Sequence, residues 1–236
     1  MSVVKNVNCE NCSSRSKGIF CELENSAIKE ISENKVMNIY KKGHTIFHQG
    51  NPPFGLYCVN SGKIKISKIG NDGKESIIRI ASEGDVLGHR SLFSDELYNA
   101  TATILEDTAV CFIDRKFIYK AIQSHPAIAI QLIQKLSKEM GAAESMTASL
   151  SQKNVRERLA ELFLMLKQSY GIKEQNRTRL DIKLTRDELA AMIGTASETV
   201  IRFISEFKDE GILEQEGKVI FIKDEEKLIE FANIQF

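Results

Sequence analysis

The 236-residue chain lacks several features that would place it in a particular class of protein. No apolar run approaches the ~20 residues that a membrane helix needs. The start of the chain, MSVVKNVNCENC, contains no hydrophobic core of a signal peptide. The 32 Lys and Arg residues balance the 32 Asp and Glu residues, so the net charge gives no indication of a polyanionic partner. We therefore expect a cytoplasmic protein that does not bind membranes.

Motifs of the common enzyme classes are also missing. The sequence contains no nucleophile elbow, no P-loop that would cradle a phosphate and no HExxH metal motif. We therefore expect that the protein is not an enzyme and that its function is binding or regulation.

Proline is scarce, and two of the three prolines lie in a region that has the pattern of short strands. Between about residues 36 and 113, alternating apolar and polar residues are broken by Pro52, Pro53 and eight glycines. This spacing predicts a compact antiparallel β roll. Because the remainder of the chain has helical patterns, the predicted fold class is α+β.

The pattern becomes helical after Pro126. Apolar residues then follow alternating steps of four and three, as in a coiled-coil seam of about three heptads. The predicted seam consists of Ala129, Ile133, Leu136, Met140, Ala143, Thr147 and Leu150, among which Thr147 is the polar exception. We expect this helix to pair with a second copy in a parallel homodimer. The alternative is a long helix that packs on its own roll.

The last part of the chain has the pattern of a winged helix-turn-helix. Two short helices are predicted over 186–193 and 197–210, with a turn at Gly194. Thr185 and Glu188 have the spacing of a capping box at the start of the first helix, and two short strands near residue 216 would form a wing. The second helix would enter the DNA major groove. The alternative is a helical hairpin that binds no nucleic acid.

These segments together resemble the Crp/Fnr family of bacterial transcription regulators. The resemblance is carried by GLYCVNSGKIKI, EGDVLGHRSLF, ATATILEDTAVCFID and LTRDELAAMIGTASETVIRFISEF. It implies a homodimer that binds a palindromic promoter site and acts on RNA polymerase. The implied organisation is a cysteine-containing segment over 1–30, a cyclic-nucleotide-binding-like β-roll sensor domain over 31–125, a dimerisation helix over 126–150 and a DNA-binding domain over 151–236.

The resemblance also implies which side chains contact DNA. Glu198 and Arg202 match the family's readers of base edges, since Arg can donate twice to guanine and Glu can accept from cytosine. Ile201 departs from the serine of the oxygen-sensing branch and would instead contact a thymine methyl group. The predicted DNA-contact residues are Thr185, Arg186, Ser197, Glu198, Ile201 and Arg202.

The DNA-binding half carries little positive charge. Residues 151–236 contain 14 Lys and Arg against 16 Asp and Glu, a net charge of about −2. Phosphate contacts must therefore come from a local cluster, for which the candidates are Lys153, Lys183, Arg186 and Lys218.

The nucleotide pocket of the cyclic-AMP receptor branch is not reproduced. That branch has a Gly-Glu pair for the ribose and an Arg-Ser pair for the phosphate, whereas the matching residues here are Gly88-His89 and Ala100-Thr101. Without the arginine, a cyclic phosphate loses its bidentate partner. We therefore do not expect cyclic AMP to be the effector.

Cysteine is also scarce, but three of the five cysteines, Cys9, Cys12 and Cys21, lie within thirteen positions. Three thiolates leave a tetrahedral metal site one ligand short. The resemblance to the oxygen-sensing branch implies that Cys111, which follows the run LEDTAV, is the fourth ligand of a 4Fe-4S cluster. Cys58, in a predicted strand, is interpreted as a buried small hydrophobic residue.

The cysteine spacing departs from that branch. Eight residues separate Cys12 from Cys21, which is more than in the best-known cluster-binding members. A flexible loop absorbs the extra residues at a cost under ~0.5 kcal/mol. Structural zinc or a thiol redox switch on the same cysteines, haem on His44, His48 or His89, and a different small effector all stay open as alternatives.

Overall fold

The computed structural model describes residues 8–233, which form two compact units, one up to Gly141 and the other from Ala142 onward. The first seven residues of the predicted segment 1–30 and the last three of the predicted domain 151–236 lie outside the described residues. Within the described range, no helix is both long and apolar enough to cross a membrane.

The predicted β roll is confirmed. It consists of two four-stranded antiparallel sheets with the strand orders β1-β8-β3-β6 and β2-β7-β4-β5. The strands are β1 Lys35–Tyr40, β2 Thr45–Phe47, β3 Gly55–Ser61, β4 Ile64–Ile69, β5 Glu75–Ala81, β6 Val86–Leu87, β7 Thr101–Ile104 and β8 Thr108–Asp114.

The inside of the roll is filled by alternate side chains of its strands. Val59, Ile64, Ile104 and Val110 are almost completely buried in one cluster, to which Phe47 and Tyr98 contribute a stacked ring pair with centroids 4.0 Å apart. This alternation is the period of two that the sequence showed in this region.

A second core joins the N-terminal residues to the helices of this unit. The helices are α1 Asn25–Glu33, α2 His89–Ser94, α3 Arg115–Ser124 and α4 Ala127–Gln152. Ile19 and Leu23, which precede α1, are buried in the same cluster as Ile128 and Leu132 of α4. The N-terminal segment is therefore part of the folded unit and contacts the start of the long helix through this core.

The predicted long helix is confirmed as α4, and its buried face differs from the predicted seam. Only Ile128 and Leu132 of α4 are buried. Three seam residues are exposed, Ile133 to 58%, Met140 to 65% and Leu150 to 46%. An amphipathic helix normally buries its apolar stripe, so this stripe is a surface that a second chain could cover.

The second unit has the predicted winged helix-turn-helix. Its four-stranded sheet has the order β11-β12-β10-β9. The elements are α5 Val155–Tyr170, β9 Gly171–Lys173, β10 Thr178–Leu180, α6 Arg186–Ile193, α7 Ser197–Asp209, β11 Leu213–Glu216, β12 Val219–Ile222 and α8 Glu225–Ala232. The two α helices of the motif and both wing strands, β11 and β12, lie where the sequence predicts them.

Candidate functional site

The helix-turn-helix is fixed at both ends of α6. Thr185 and Glu188 form the predicted capping box, in which each side chain bonds the other residue's backbone N–H. Gly194 ends the helix in the left-handed conformation, with φ of 65°, which a glycine adopts without steric cost. Arg158 of α5 donates from Nε to the carbonyl of Ile193 at 3.0 Å and so satisfies a free carbonyl at this end.

Helix α7 has one buried and one exposed face. Val200, Ile204 and Phe207 are buried. Glu198, Ile201 and Arg202 are exposed on the other face, and Glu198 and Arg202 are four positions apart, so their side chains are neighbours. Such a face fits the major groove, where an α helix presents three or four side chains to base edges.

Within residues 8–233, the guanidinium of Arg202 makes only weak contacts. Its Nε lies 3.9 Å from Oε1 of Glu206, its Cζ lies 4.9 Å from the ring centroid of Phe203, and the side chain is 65% exposed. Surface ion pairs of this kind contribute little to stability. The donors of Arg202 can therefore turn to guanine O6 and N7 at small cost.

The other predicted DNA-contact residues have structural partners. The hydroxyl of Ser197 bonds Asp187, and the side chain of Thr185 is used as the helix cap. Arg186 donates from Nη2 to Oε1 of Gln215 at 2.7 Å, and burial lowers the pKa of this half-buried guanidinium. Arg186 thus connects α6 to the wing strand β11, and its contact with DNA stays a prediction.

Ion pairs within this unit neutralise some of its arginines locally. Arg156 lies 2.6 Å from Glu210, and Arg177 lies 2.6 Å from Glu216. Among the predicted phosphate contacts, Lys153 pairs with Glu161 at 2.9 Å, whereas Lys183 and Lys218 are exposed. The exposed lysines flank the motif on the α6 side and at the tip of the wing.

The N-terminal segment, residues 8–23, is docked on the roll next to the turn between β5 and β6. Ser13 and Lys17 both bond the carboxylate of Glu83, at 3.0 and 3.2 Å. A Cβ at Gly84, where φ is 89°, would lie 2.5 Å from Cβ of Lys17. This close approach requires glycine, because any other residue would strain the backbone and displace the segment.

Four of the five cysteines line one small cavity beneath this segment. The cavity has a volume of about 50 Å³ and is lined by Cys9, Cys12, Cys58 and Cys111. Cys9 and Cys12 come from the docked segment, Cys58 from β3 and Cys111 from β8. Three of the predicted ligands are therefore brought together, and Cys58 joins them.

Cys21 is not among the residues that line the cavity. Its thiol donates to Oε1 of Gln131 in α4, with an Sγ–Oε1 distance of 3.8 Å. The complete ligand set Cys9, Cys12, Cys21 and Cys111 stays a prediction. The position of Cys58 at this cavity was not predictable, because the pairing of β3 with β8 that sets it cannot be derived from local sequence patterns.

Polar groups surround the thiols. The ammonium of Lys35, which is buried in β1, donates to Sγ of Cys111 at 3.5 Å. Asn60 donates from Nδ2 to Sγ of Cys12 at 3.1 Å, and Oγ of Ser14 lies 2.9 Å from the same sulfur. These contacts favour a sulfur that carries negative charge.

Burial opposes ionisation of the thiols when they carry no metal. It raises the pKa of Cys9 and Cys111, and the nearby charge of Lys35 lowers both by less. Burial also raises the pKa of Cys58. Electrostatic repulsion from the neighbouring cysteines, mainly Cys111, raises it further. Burial thus disfavours the reactive thiolate form of Cys9, Cys58 and Cys111.

The cysteines around the cavity do not form a site for a single metal ion. Among residues 8–233, no three His, Cys, Asp or Glu side chains are close enough to hold one metal ion. Tetrahedral zinc would require sulfur atoms about 3.8 Å apart, given Zn–S bonds of about 2.3 Å. Ligands of a cluster stand farther apart because each binds a different iron. The four cysteines line one cavity, and no three of them converge on a single point.

The residues at the positions of the nucleotide pocket have other contacts. Ala100 is buried, and Oγ1 of Thr101 accepts the backbone N–H of Gln49 at 3.0 Å. His89 is buried with Nε2 at 3.0 Å from Oε2 of Glu139. Of the other candidates for haem ligation, His44 and His48 are exposed.

Comparison with known proteins agrees with this architecture. The chain matches the cyclic nucleotide-binding domain family over residues 37–125 and the Crp-like helix-turn-helix domain family over residues 157–231. It is 31% identical over 211 residues to the CRP-like cAMP-activated global transcriptional regulator of Mycobacterium tuberculosis, which corresponds to 89% of this chain and 94% of the relative.

Two further proteins extend the comparison. An anaerobic regulatory protein of Aggregatibacter actinomycetemcomitans is 28% identical over 229 residues, 96% of this chain and 88% of the relative. The solved structure of FixK2 from Bradyrhizobium japonicum has a TM-score of 0.75 at 24% identity and covers 86% of this chain and 99% of that one. This structure shows the same fold.

A β roll, a long helix and a winged helix-turn-helix with an exposed recognition helix define a DNA-binding regulator. The chain belongs to the Crp/Fnr family of transcription regulators. Because this family consists of regulators, not of enzymes, the prediction that the protein is not an enzyme is confirmed.

Proposed function

We propose that the protein is a homodimeric regulator that binds a palindromic promoter site and senses oxygen or redox state through a cysteine-bound 4Fe-4S cluster. The observation that carries the sensing part is the cavity at which Cys9 and Cys12 of the docked segment meet Cys111 of β8. When bound, an iron-sulfur cluster supplies a redox-active centre. The residues of the chain hold it and connect it to the DNA-binding function.

The exposed stripe of α4 supports the homodimer. Ile133, Met140 and Leu150 lie on one side of the helix and are about half exposed or more. Pairing of two such helices would bury these side chains in a coiled coil. A dimer also holds two recognition helices at the spacing of two half-sites, which a palindromic site requires. At a promoter, the bound dimer would then contact RNA polymerase, as the family resemblance implies.

The shared core supports a connection between the cysteines and the dimer. Ile19 and Leu23 lie shortly after Cys12 in the chain and pack in one cluster with Ile128 and Leu132 of α4. If loss of the cluster released the docked segment from the roll, the packing at the start of α4 would therefore loosen. A change of a few kcal/mol in the relative stability of two states is enough for a switch.

The alternatives have less support. Zinc requires the thiols to converge on one point, which the described cysteines do not do. A thiol switch requires a reactive thiolate, whereas burial raises the pKa of Cys9, Cys58 and Cys111. A haem ligand from His89 would have to give up the contact with Glu139.

Anaerobic purification followed by iron, sulfide and zinc analysis tests the proposal. We expect about four irons per chain, the content of a cubane cluster, and a brown colour that bleaches in air. In a gel shift with a palindromic promoter fragment, the anaerobic protein should bind more tightly than the bleached protein. One zinc per chain without iron would overturn oxygen sensing, and protein without any metal would overturn the metal centre.

A further inference from the structure

We infer that Cys58 of β3 is the fourth ligand of the centre, together with Cys9, Cys12 and Cys111, and that Cys21 is not a ligand. This inference rests on the proposed function and names its ligand set. It assigns a role to a cysteine whose sequence context indicated only a core residue.

The register of the sheet places two thiols side by side. In the antiparallel pair of β3 and β8, Cys58 is directly opposite Cys111. Side chains of directly opposed residues leave the sheet on the same face, with Cβ atoms about 4.5–5.5 Å apart. Both sulfurs line the cavity on that face, and the docked segment covers it with Cys9 and Cys12.

Strand β3 directs a second functional group to the same cavity. Asn60 lies at the β-bulge between Val59 and Ser61, and it lines the cavity together with Cys58. Its amide donates to Sγ of Cys12 at 3.1 Å. Strand β3 thus supplies the thiol of Cys58 and a hydrogen bond from Asn60 to the sulfur of Cys12. Metal ligands are commonly held by hydrogen bonds of this kind from neighbouring side chains.

One positive charge lies next to a thiol of the site. The cavity wall is otherwise largely apolar, with Ile19, Ile28, Ile31 and Val86 among its residues. The buried ammonium of Lys35 donates to Cys111 within this wall. A hydrogen bond from an ammonium favours the thiolate form that a metal-bound cysteine has.

Cys21 does not line the cavity, although Ile19 and Phe20 just before it do. Ile19 and Leu23, two residues before and after Cys21, are buried in the core. The thiol of Cys21 contacts Gln131 of α4. A ligand role for Cys21 would require this contact to break and the thiol to move, whereas Cys58 already lines the cavity.

Metal analysis of the full-length variants Cys58→Ala and Cys21→Ala tests the inference. Both would be purified anaerobically, reconstituted with ferrous iron and sulfide, and compared with the unmodified protein and with Cys12→Ala. The readouts are iron, sulfide and zinc per chain and the absorption spectrum, with far-UV circular dichroism to verify folding. We expect Cys21→Ala to keep about four irons and Cys58→Ala to lose at least one of them, as Cys12→Ala does.

The outcomes separate the ligand set from the proposed function. Full iron in Cys58→Ala with loss in Cys21→Ala overturns the inference and leaves the iron-sulfur proposal standing. One zinc in the unmodified protein that is lost in Cys58→Ala overturns the iron-sulfur proposal and supports the ligand set. Absence of any metal in the unmodified protein overturns both.

A serine variant decides the question if Cys58→Ala does not fold. Serine keeps the size of the side chain and can bind iron through oxygen. We expect Cys58→Ser to change the absorption and paramagnetic resonance spectra of the cluster and Cys21→Ser to leave them unchanged. Identical spectra for Cys58→Ser and the unmodified protein would contradict the inference.

Discussion

Arg202 and Cys58 show what can be predicted for a single residue from the sequence. Arg202 lies within a continuous motif whose helical period fixes which side chains share a face, so its exposure was predictable. The position of Cys58 depends on which strand pairs with β3 and in which register, and residues more than fifty positions apart determine this pairing. Local patterns give the direction of a side chain but not its distant neighbours.

Substitution of Arg202 tests the reading of base edges. We expect Arg202→Ala to weaken specific promoter binding by ~1–3 kcal/mol per half-site, because a bidentate guanine contact is lost in each half of a dimer. Arg179→Ala, which removes a partly exposed arginine from β10, serves as the matched control and should retain binding. A footprint of Arg202→Ala on the palindromic site that equals that of the unmodified protein would exclude this role.

At the scale of the elements, the contact between α2 and α4 was not predictable. His89 of α2 and Glu139 of α4 are fifty residues apart, and Glu139 also lies 3.2 Å from Arg79 and 3.4 Å from Lys135. Asp85, 2.6 Å from Lys135, completes this group of charges. Helix α4 was predicted from its period, whereas the carboxylate that fixes it to the roll has the sequence pattern of an ordinary solvated residue.

This group of charges makes the stability of the unit depend on pH. Burial alone would raise the pKa of Glu139, but the hydrogen bond from His89 and the charges of Arg79 and Lys135 lower it to about 2 from the usual 4.5. Because the pKa of Glu139 is lower in the folded than in the unfolded protein, its carboxylate stabilises the fold at pH values above the unfolded pKa. This contribution is lost as the pH falls from about 5 to 2. We expect Glu139→Gln to lower the free energy of unfolding by about 2–3 kcal/mol at pH 7.

Urea unfolding at several pH values measures this effect. The difference between Glu139→Gln and the unmodified protein should be largest above pH 5 and should shrink toward zero near pH 2. Glu144→Gln, at an exposed position of the same helix, is the control and should change stability little. A difference that stays constant from pH 7 to pH 3 would show that Glu139 acts by packing and not by charge.

For the whole molecule, the order of roll, long helix and winged helix-turn-helix was predictable because each part has its own periodicity and turn residues. The docking of the N-terminal segment was implied only by the family resemblance. Its physical basis is the contact of Lys17 with Glu83 and the close approach at Gly84, which join residues more than sixty positions apart. The boundaries at residues 30, 125 and 150 stay predictions, since α4 continues through residue 141, where the two compact units divide.

Because the proposed sensing and DNA-binding sites lie in different units, a change in α4 should separate their functions. Met140 is 65% exposed and lies in the predicted seam. In Met140→Glu, two like charges would face each other near the two-fold axis, where the low dielectric strengthens their repulsion. We expect this variant to be monomeric and to lose specific DNA binding, which needs two half-sites held about one helical turn apart.

The same variant should retain its metal, since the cysteine cavity does not include Met140. Sedimentation velocity, a gel shift and iron analysis on one anaerobic preparation give the three readouts together. Lys138→Glu places the same charge two residues away, on the outer side of the predicted heptad, and should remain a DNA-binding dimer. An intact dimer in Met140→Glu would show that the exposed stripe of α4 is not the dimer interface, and loss of iron from a folded Met140→Glu monomer would show that the cysteine centre itself depends on dimerisation.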